Sequence, residues 1–179
     1  RVCEKCKAVL IMGKEIKIIS TSTEEYPFDL SKSILNLQLT TLLDNRALSL
    51  RHPSVQAIFK LYDILLKSYD EAMRLEGFTE IKTPKILEAP SEGGANFFKI
   101  NYFDRSAFLA QSPQFYKQAG VGVFERVFEV GSVFRAEPHF TTRHVNEYVS
   151  LDAEMGFIEN FGDIMDQLQE VMKRMIKDV

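Results

Sequence analysis

The sequence has no apolar run that approaches the roughly 20 residues needed to cross a bilayer. Its first six residues contain no apolar core of the kind found in secretory signals, so we expect none. With 45% hydrophobic and 26% charged residues, the composition is typical of a soluble globular protein, and we expect a cytoplasmic location with no membrane contact. Because the chain opens with Arg1 rather than Met, we expect it to be a piece of a longer protein.

An excess of basic residues is also missing, since 22 Lys and Arg face 25 Asp and Glu for a net charge of −3. No global positive field is therefore available for binding a polynucleotide. This disfavours a free-standing RNA-binding module, although an enzyme that touches RNA at one end stays possible.

Cysteine and histidine are scarce, with two cysteines and three histidines. Cys3 and Cys6 form a Cys-x-x-Cys, but a zinc site needs two more ligands, and the histidines lie far away at unsuitable spacing. A redox pair is expected at a strand-to-helix junction, whereas a strand-like run follows here. We interpret the two cysteines as incidental thiols in a reducing cytoplasm.

The N-terminal segment reads as the tail of one domain. Residues 9–19 alternate as in a β-strand, and the polar stretch 20–25 leads to Tyr26-Pro27-Phe28, which has the character of a linker. About thirty residues cannot bury a core of their own, so we place a domain boundary near residue 30.

Residues 53–76 carry apolar side chains at steps of three and four, which predicts a long amphipathic helix. Pro53 suits its first turn and Gly77 its exit, and a short strand, 78–84, ends at Pro84. The predicted apolar stripe consists of Val55, Ile58, Phe59, Tyr62, Leu65, Leu66, Tyr69, Ala72 and Met73.

The second half of the chain alternates strands and helices. Asn160 and Asp163 are placed to cap a final helix, with Ile164, Met165, Leu168, Val171, Met172 and Ile176 on its buried side. The pattern predicts an α+β fold in which an antiparallel sheet is flanked by helices. The other predicted elements are a strand at 97–103, a helix opening at Ser112-Pro113, and strands at 127–137 and 148–158 around a hairpin loop, 138–146.

The hairpin carries the densest chemical signal. Arg135 and Glu137 share one face of the predicted strand, because strand side chains alternate with a period of two. There an Arg can bind a phosphate or carboxylate in a two-pronged contact, and a Glu can accept from an exocyclic amine. Arg143 and His144 could reach outer phosphates, and Tyr148 offers a flat ring for a base. The plain alternative is a solvated hairpin with a surface Arg–Glu pair, which is common and uninformative.

A family resemblance favours the chemical interpretation. Residues 134–154, with Phe134-Arg135-Ala136-Glu137 at their head, are similar to the second signature motif of class II aminoacyl-tRNA synthetases, and 77–84 resembles the first. Residues 91–98 look like the mobile loop that closes over the amino acid in aspartyl-tRNA synthetases, and 111–118 resembles the amino-acid-binding segment of the same enzymes.

The resemblance implies an ATP site. Arg135 would hold the α-phosphate and also the substrate α-carboxylate, and Glu137 would read adenine N6. Arg143 and His144 would meet the β- and γ-phosphates, and Tyr148 would stack on the base. Magnesium would accompany ATP, with most of its ligands expected beyond residue 179.

The resemblance also implies an aspartate site. Glu92, Gln114 and Asp152 would surround the substrate ammonium group, and Lys117 would face its side-chain carboxylate. Lys117 favours aspartate over asparagine, because a neutral amide would leave a buried ammonium unpaired, a mismatch worth on the order of a thousandfold.

The implied activity is that of an aspartate-tRNA ligase, and we expect a homodimer through residues 53–84. The substrates would be L-aspartate, ATP and tRNA-Asp, with tRNA-Asn as a further possibility. Residues 1–30 would end an anticodon-binding OB-fold with its hinge, and 31–179 would form the N-terminal portion of the catalytic domain. The family's third motif is not found in these residues, so we expect the isolated chain to be inactive.

Three alternatives stay open. An asparaginyl-tRNA synthetase would be distinguished by Lys117 and by the amino acid that drives exchange. A non-catalytic paralogue is disfavoured by the set of Arg135, Glu137 and Gln114. An asparagine synthetase of the synthetase-like kind would lack the OB-fold tail.

Overall fold

The computed structural model describes residues 13–21, 24–93, 96–139, 141 and 144–179. The chain divides into two compact units, residues 1–56 and 57–179. No helix in the described residues is both long and apolar enough to span a membrane. In chain order the elements are α1 (Leu39–Asp44), α2 (Arg46–Ser49), α3 (Pro53–Leu75), β1 (Thr79–Glu80), β2 (Ile86–Leu87), β3 (Lys99–Tyr102), β4 (Arg105–Leu109), α4 (Gln114–Phe124), β5 (Arg126–Phe134), β6 (Glu147–Met155) and α5 (Phe161–Asp178).

The first unit holds α1 and α2, and two buried polar residues tie it together. The Ser49 hydroxyl donates to the Leu42 carbonyl over 2.8 Å, and His52 Nε2 donates to the Lys32 carbonyl over 2.7 Å. These bonds join residues 32–52 within the first unit, and the domain boundary near residue 30 stays a prediction. The assignment of residues 1–30 to an OB-fold stays a prediction.

The strand predicted at 9–19 is not found where the structure can test it. Residues 9–12 lie outside the described part, and 13–19 form no strand. Ile16, Ile18 and Ile19 are exposed. Alternating side chains alone do not make a strand, because its backbone groups need a hydrogen-bonded neighbour.

Helix α3 confirms the predicted long helix and its exit. Gly77 has φ +80°, and Phe78 N–H donates to the Met73 carbonyl over 3.0 Å, which closes the helix in a Schellman-type turn. Within the predicted apolar stripe, Val55 is buried in the first turn, and Tyr69, Ala72 and Met73 are buried in the C-terminal part. In the N-terminal part of the helix, Ile58, Phe59 and Tyr62 are exposed.

The α+β class is confirmed, but the strands form two small sheets rather than one. The first has the order β1-β5-β6 and the second β2-β4-β3, each with three strands. Strands β5 and β6 are antiparallel over their full length, as predicted, whereas β1 runs parallel to β5. Parallel pairing is possible here because a long connection separates these two strands in the sequence.

The hydrophobic core lies between α3, α5 and one face of β5. Tyr69 and Phe128 meet edge to face with ring centroids 5.9 Å apart, and Val171 and Met175 of α5 pack with them. This arrangement leaves the opposite face of β5 and β6 available for polar side chains.

Helix α5 confirms its predicted cap but not its predicted buried side. Asn160 Oδ1 accepts from Gly162 N–H over 2.7 Å, and Asp163 accepts from Asn160 N–H, which completes a capping box. Of the predicted apolar side only Val171 is buried, because α5 meets the core along one edge. The exposed members are Ile164, Met165, Leu168, Met172 and Ile176. Several of them line an open apolar groove of about 580 Å³ against β6.

Candidate active site

The hairpin of β5 and β6 presents a row of polar side chains on one face. Glu129 lies directly opposite Asp152 in the antiparallel register. Because strand side chains alternate, Tyr148 and Glu154 lie on the same face as Asp152, and Phe128 points into the core on the other face. Asp152, one of the predicted site residues, therefore lies on this polar face.

Lys117 reaches this face from helix α4. Its Nζ lies 3.0 Å from Asp152 Oδ1 and 3.5 Å from Glu154 Oε2, and Lys117 is only 6% exposed. A buried ammonium is tolerated only when it is neutralised, and these carboxylates do so. The predicted residues Lys117 and Asp152 are therefore brought together, with Glu154 as a third member that sequence reasoning missed.

Asp152 is also held from behind the sheet. The Tyr69 hydroxyl donates to the Asp152 backbone carbonyl over 3.2 Å. Burial raises the pKa of Tyr69, and the negative charge of Asp152 raises it further. The phenol therefore stays a neutral donor and fixes β6 where Asp152 projects.

Helix α4 brings Gln114 and Lys117 to one side. It begins at Gln114, one residue later than the proline start that the sequence predicts, and the Lys117 N–H donates to the Pro113 carbonyl over 2.9 Å. Residues three apart are neighbours on a helix surface. Gln114 and Lys117, the predicted amide and ammonium, therefore lie on the same turn of α4.

Arg135 forms a second charged cluster with Glu92. Its Nη2 lies 3.3 Å from Glu92 Oε2, and its backbone N–H donates to the Asn146 carbonyl over 2.9 Å. Its Nε is buried and has no acceptor among the described residues. Such a donor is costly to bury, which marks Arg135 as a group with unused capacity for an anion.

Two buried polar residues link the two clusters. Ser91 Oγ accepts from the N–H groups of Gln111 and Ser112 over 3.1 and 3.2 Å, and Gln111 Oε1 accepts from Glu92 N–H over 3.2 Å. The loop that carries Glu92 is thereby fastened to the segment that opens α4. Sequence reasoning placed Ser91 and Gln111 in the right segments but assigned them no role.

The prediction that Arg135 and Glu137 share a strand face is wrong. Strand β5 ends at Phe134, and Glu137 N–H donates to the Arg135 carbonyl over 2.8 Å. A bond between residues two apart closes a three-residue turn, and strand alternation does not continue through it.

The remaining predicted ATP ligands lie in the following loop or on β6. Arg143 is outside the described residues. His144 Nδ1 lies 2.6 Å from Thr141 Oγ1, and its ring centroid is 5.4 Å from that of His139. Within the described part of the chain, no side-chain hydrogen bond or ion pair joins His144, Glu137 or Tyr148 to the Arg135–Glu92 pair.

A buried ion pair that the sequence did not indicate lies on the same face of the hairpin. Lys85 Nζ is 2.9 Å from Glu129 Oε1, and Glu129 is almost fully buried. Together with Lys117–Asp152 and Arg135–Glu92 it gives three cation–carboxylate pairs, and Glu129 lies opposite Asp152 in the hairpin. Such an array can hold a small molecule that carries charges of both signs.

Magnesium, which the resemblance implies beside ATP, is bound in proteins by clustered oxygen ligands. No three carboxylate, imidazole or thiol side chains come together as a metal-binding group in the part of the chain that the structure describes. The described residues therefore do not fit a resident metal ion, and no chemical step is assigned to one.

Residues 38–179 match the family described as class II tRNA synthetases (D, K and N), and the chain belongs to this family.

Individual relatives agree with that membership. An aspartate–tRNA(Asp/Asn) ligase of Deinococcus radiodurans is 50% identical over 87% of this chain and 36% of its own length. An aspartate–tRNA(Asp) ligase of Pyrococcus horikoshii is 44% identical over 94% of this chain and 39% of its own. The crystal structure of Pyrococcus horikoshii asparaginyl-tRNA synthetase with asparaginyl-adenylate superposes with a TM-score of 0.69 at 32% identity, over 79% of this chain and 34% of that one. The chain thus spans well under half the length of these relatives.

Proposed function

We propose that the protein containing this chain is an aspartate–tRNA ligase that activates L-aspartate with ATP and transfers it to the 3′ end of tRNA. The observation that carries the proposal is the buried Lys117 ammonium, set against Asp152 and Glu154 on the polar face of the hairpin. The two relatives that are named aspartate–tRNA ligases support it.

The reaction needs no nucleophile from the protein. The substrate carboxylate attacks the α-phosphorus of ATP, which gives aspartyl-adenylate and pyrophosphate, and the terminal ribose hydroxyl of tRNA then attacks the activated carbonyl. Arg135 would stabilise charge at the phosphorus, a role suited to a guanidinium with an unpaired buried N–H. The protein's task is alignment and charge stabilisation.

Amino-acid selection would rest on charge complementarity. The substrate ammonium would lie near Asp152, Glu92 and Gln114, and its side-chain carboxylate would meet Lys117. Lys117 would then share its charge between Asp152 and the substrate. Asparagine offers no negative charge to this ammonium and is rejected for that reason.

ATP would lie alongside, with Glu137 reading adenine N6, Arg143 and His144 at the outer phosphates, and Tyr148 against the base. These assignments come from the family resemblance. The same proposal includes magnesium that accompanies ATP and a cytoplasmic location. It also includes charging of tRNA-Asp, or of both tRNA-Asp and tRNA-Asn. The relatives' names include both tRNA choices.

The protein would act as a homodimer through residues 53–84. Support comes from Ile58, Phe59 and Tyr62, which form an exposed apolar stretch on α3. A serine at Phe59 is expected to shift the full-length protein from dimer to monomer in analytical ultracentrifugation. An unchanged sedimentation coefficient would count against this interface.

The function is tested by ATP–pyrophosphate exchange with the full-length protein. Aspartate should drive exchange, and asparagine at the same concentration should be less effective by about a thousandfold. Exchange driven by asparagine would replace the proposal with an asparaginyl enzyme. ATP binding without exchange for either amino acid would favour a non-catalytic paralogue.

A further inference from the structure

The buried pair of Lys85 and Glu129 is more elaborate than an isolated ion pair. Glu129 is 2% exposed and accepts three hydrogen bonds: from Thr83 N–H over 3.0 Å, from the Thr83 hydroxyl over 2.7 Å and from Lys85 Nζ over 2.9 Å. A buried carboxylate costs several kcal/mol unless it is fully satisfied, as this one is. The mechanism proposed above gives it no role.

We propose that Lys85 and Glu129 are a positioning pair for the amino-acid site, which set where helix α4 begins and so where Gln114 and Lys117 lie. This rests on the proposed function to the extent that the site must bind an amino acid. Neither residue is assigned contact with the substrate; they would act through the backbone.

The connection runs through one buried alanine. Glu129 fixes Thr83 and Lys85, and the Lys85 carbonyl accepts from Ala110 N–H over 2.9 Å. The Ala110 carbonyl in turn accepts from Phe134 N–H over 2.8 Å, at the end of β5. Ala110 is fully buried and directly precedes Gln111 and the segment that opens α4. A shift of residues 83–85 would therefore be transmitted to α4.

Charge gives the pair a second link to the site. Glu129 and Asp152 are directly opposite each other on β5 and β6, where side chains have Cβ atoms about 5 Å apart. Like charges at that separation repel, and each carboxylate has its own lysine, Lys85 for Glu129 and Lys117 for Asp152. Loss of the Lys85 charge would leave Lys117 to balance both.

A glycine makes room for this arrangement. A Cβ at Gly131 would lie 3.2 Å from Glu129 Oε1 and 3.3 Å from Lys85 Nζ. These contacts are tighter than ordinary van der Waals packing, so a methyl group would press on the pair. The local backbone is thus matched to the ion pair itself.

The test compares Glu129→Gln and Lys85→Met with Lys173→Met in the full-length protein. Lys173 pairs with Glu170 on the surface of α5, and both side chains are more than half exposed, so it serves as the matched control. In exchange assays we expect KM for aspartate to rise about tenfold or more in both pair variants, a loss of about 1.4 kcal/mol of binding. KM for ATP should change by less than about twofold, and the control should match wild type.

An equal rise of KM for aspartate and for ATP would overturn the positioning role, because general destabilisation affects both substrates alike. No rise in either KM would overturn it as well. Gly131→Ala keeps all charges and should raise KM for aspartate in the same direction by less. This variant decides the question if Glu129→Gln fails to fold.

Hydrogen exchange supplies a readout that needs no activity. The amides of residues 110–117 should exchange faster in Glu129→Gln than in wild type, with those of α5 unchanged. Unaltered protection at 110–117 would contradict the inference. If wild type uses asparagine instead of aspartate, the proposed function is wrong, and the KM for asparagine then decides the positioning role.

Discussion

Replacing Lys117 by methionine removes one ammonium and keeps most of the side chain's length. In the structure that ammonium is shared by Asp152 and Glu154, and the three side chains are 7%, 15% and 32% exposed. The variant therefore leaves two carboxylates close together with no cation between them. The same two carboxylates would face the side chain of an incoming aspartate.

The size of the effect follows from that burial. Removing one member of a buried ion pair costs about 3–5 kcal/mol, and the partial exposure of Glu154 places the expected loss near 3 kcal/mol in the free energy of unfolding. Aspartate-dependent exchange should fall on the order of a thousandfold, or about 4 kcal/mol, because the substrate carboxylate loses its counter-charge.

Both quantities are measurable in the full-length protein, by ATP–pyrophosphate exchange against aspartate concentration and by urea unfolding. Lys173→Met is the matched control, since Lys173 pairs with Glu170 on the surface and both side chains are more than half exposed. It should change stability by less than about 1 kcal/mol and leave exchange unaltered.

A double variant separates binding from stability. Asp152→Asn added to Lys117→Met should recover part of the lost stability, because one uncompensated charge is removed, but exchange should stay low. Exchange that recovers along with stability, or a single variant that keeps exchange within about tenfold of wild type, would refute the assignment of Lys117 to the substrate carboxylate.

Three further predictions concern stability. The raised pKa of buried Tyr69 means that the unfolded chain loses the phenolic proton first, so stability should fall as the pH rises above about 10; Tyr69→Phe should lack this fall in urea unfolding at pH 8–11. Asn160→Ala removes the cap of α5 and should lower the free energy of unfolding by about 1 kcal/mol. Its helical circular dichroism should be lost together with the rest of the fold and not before it. Gly77→Ala should cost about 1 kcal/mol because φ is +80°, and an unchanged melting temperature would contradict that strain.

Among the predicted site residues, the structure places Lys117 against Asp152 and Arg135 against Glu92. Their roles in binding stay predictions. The strand-face relation of Arg135 and Glu137 failed because β5 ends one residue before Arg135. Alternation holds only while the backbone stays extended, and the end of a strand is set by its pairing with a neighbour rather than by its own side chains.

By itself, the sequence determined the features that depend on interactions between residues close together in the chain. Helix α3, the left-handed exit at Gly77, the capping box of α5 and the β5–β6 hairpin all follow from periodicity and short-range hydrogen bonds. Only the tertiary structure decided which apolar side chains of α5 are buried and which polar groups meet. Glu129 lies 46 residues from Thr83, and Lys117 lies 35 from Asp152. No local rule connects groups so far apart in the chain, because their contact depends on how the sheets and helices pack.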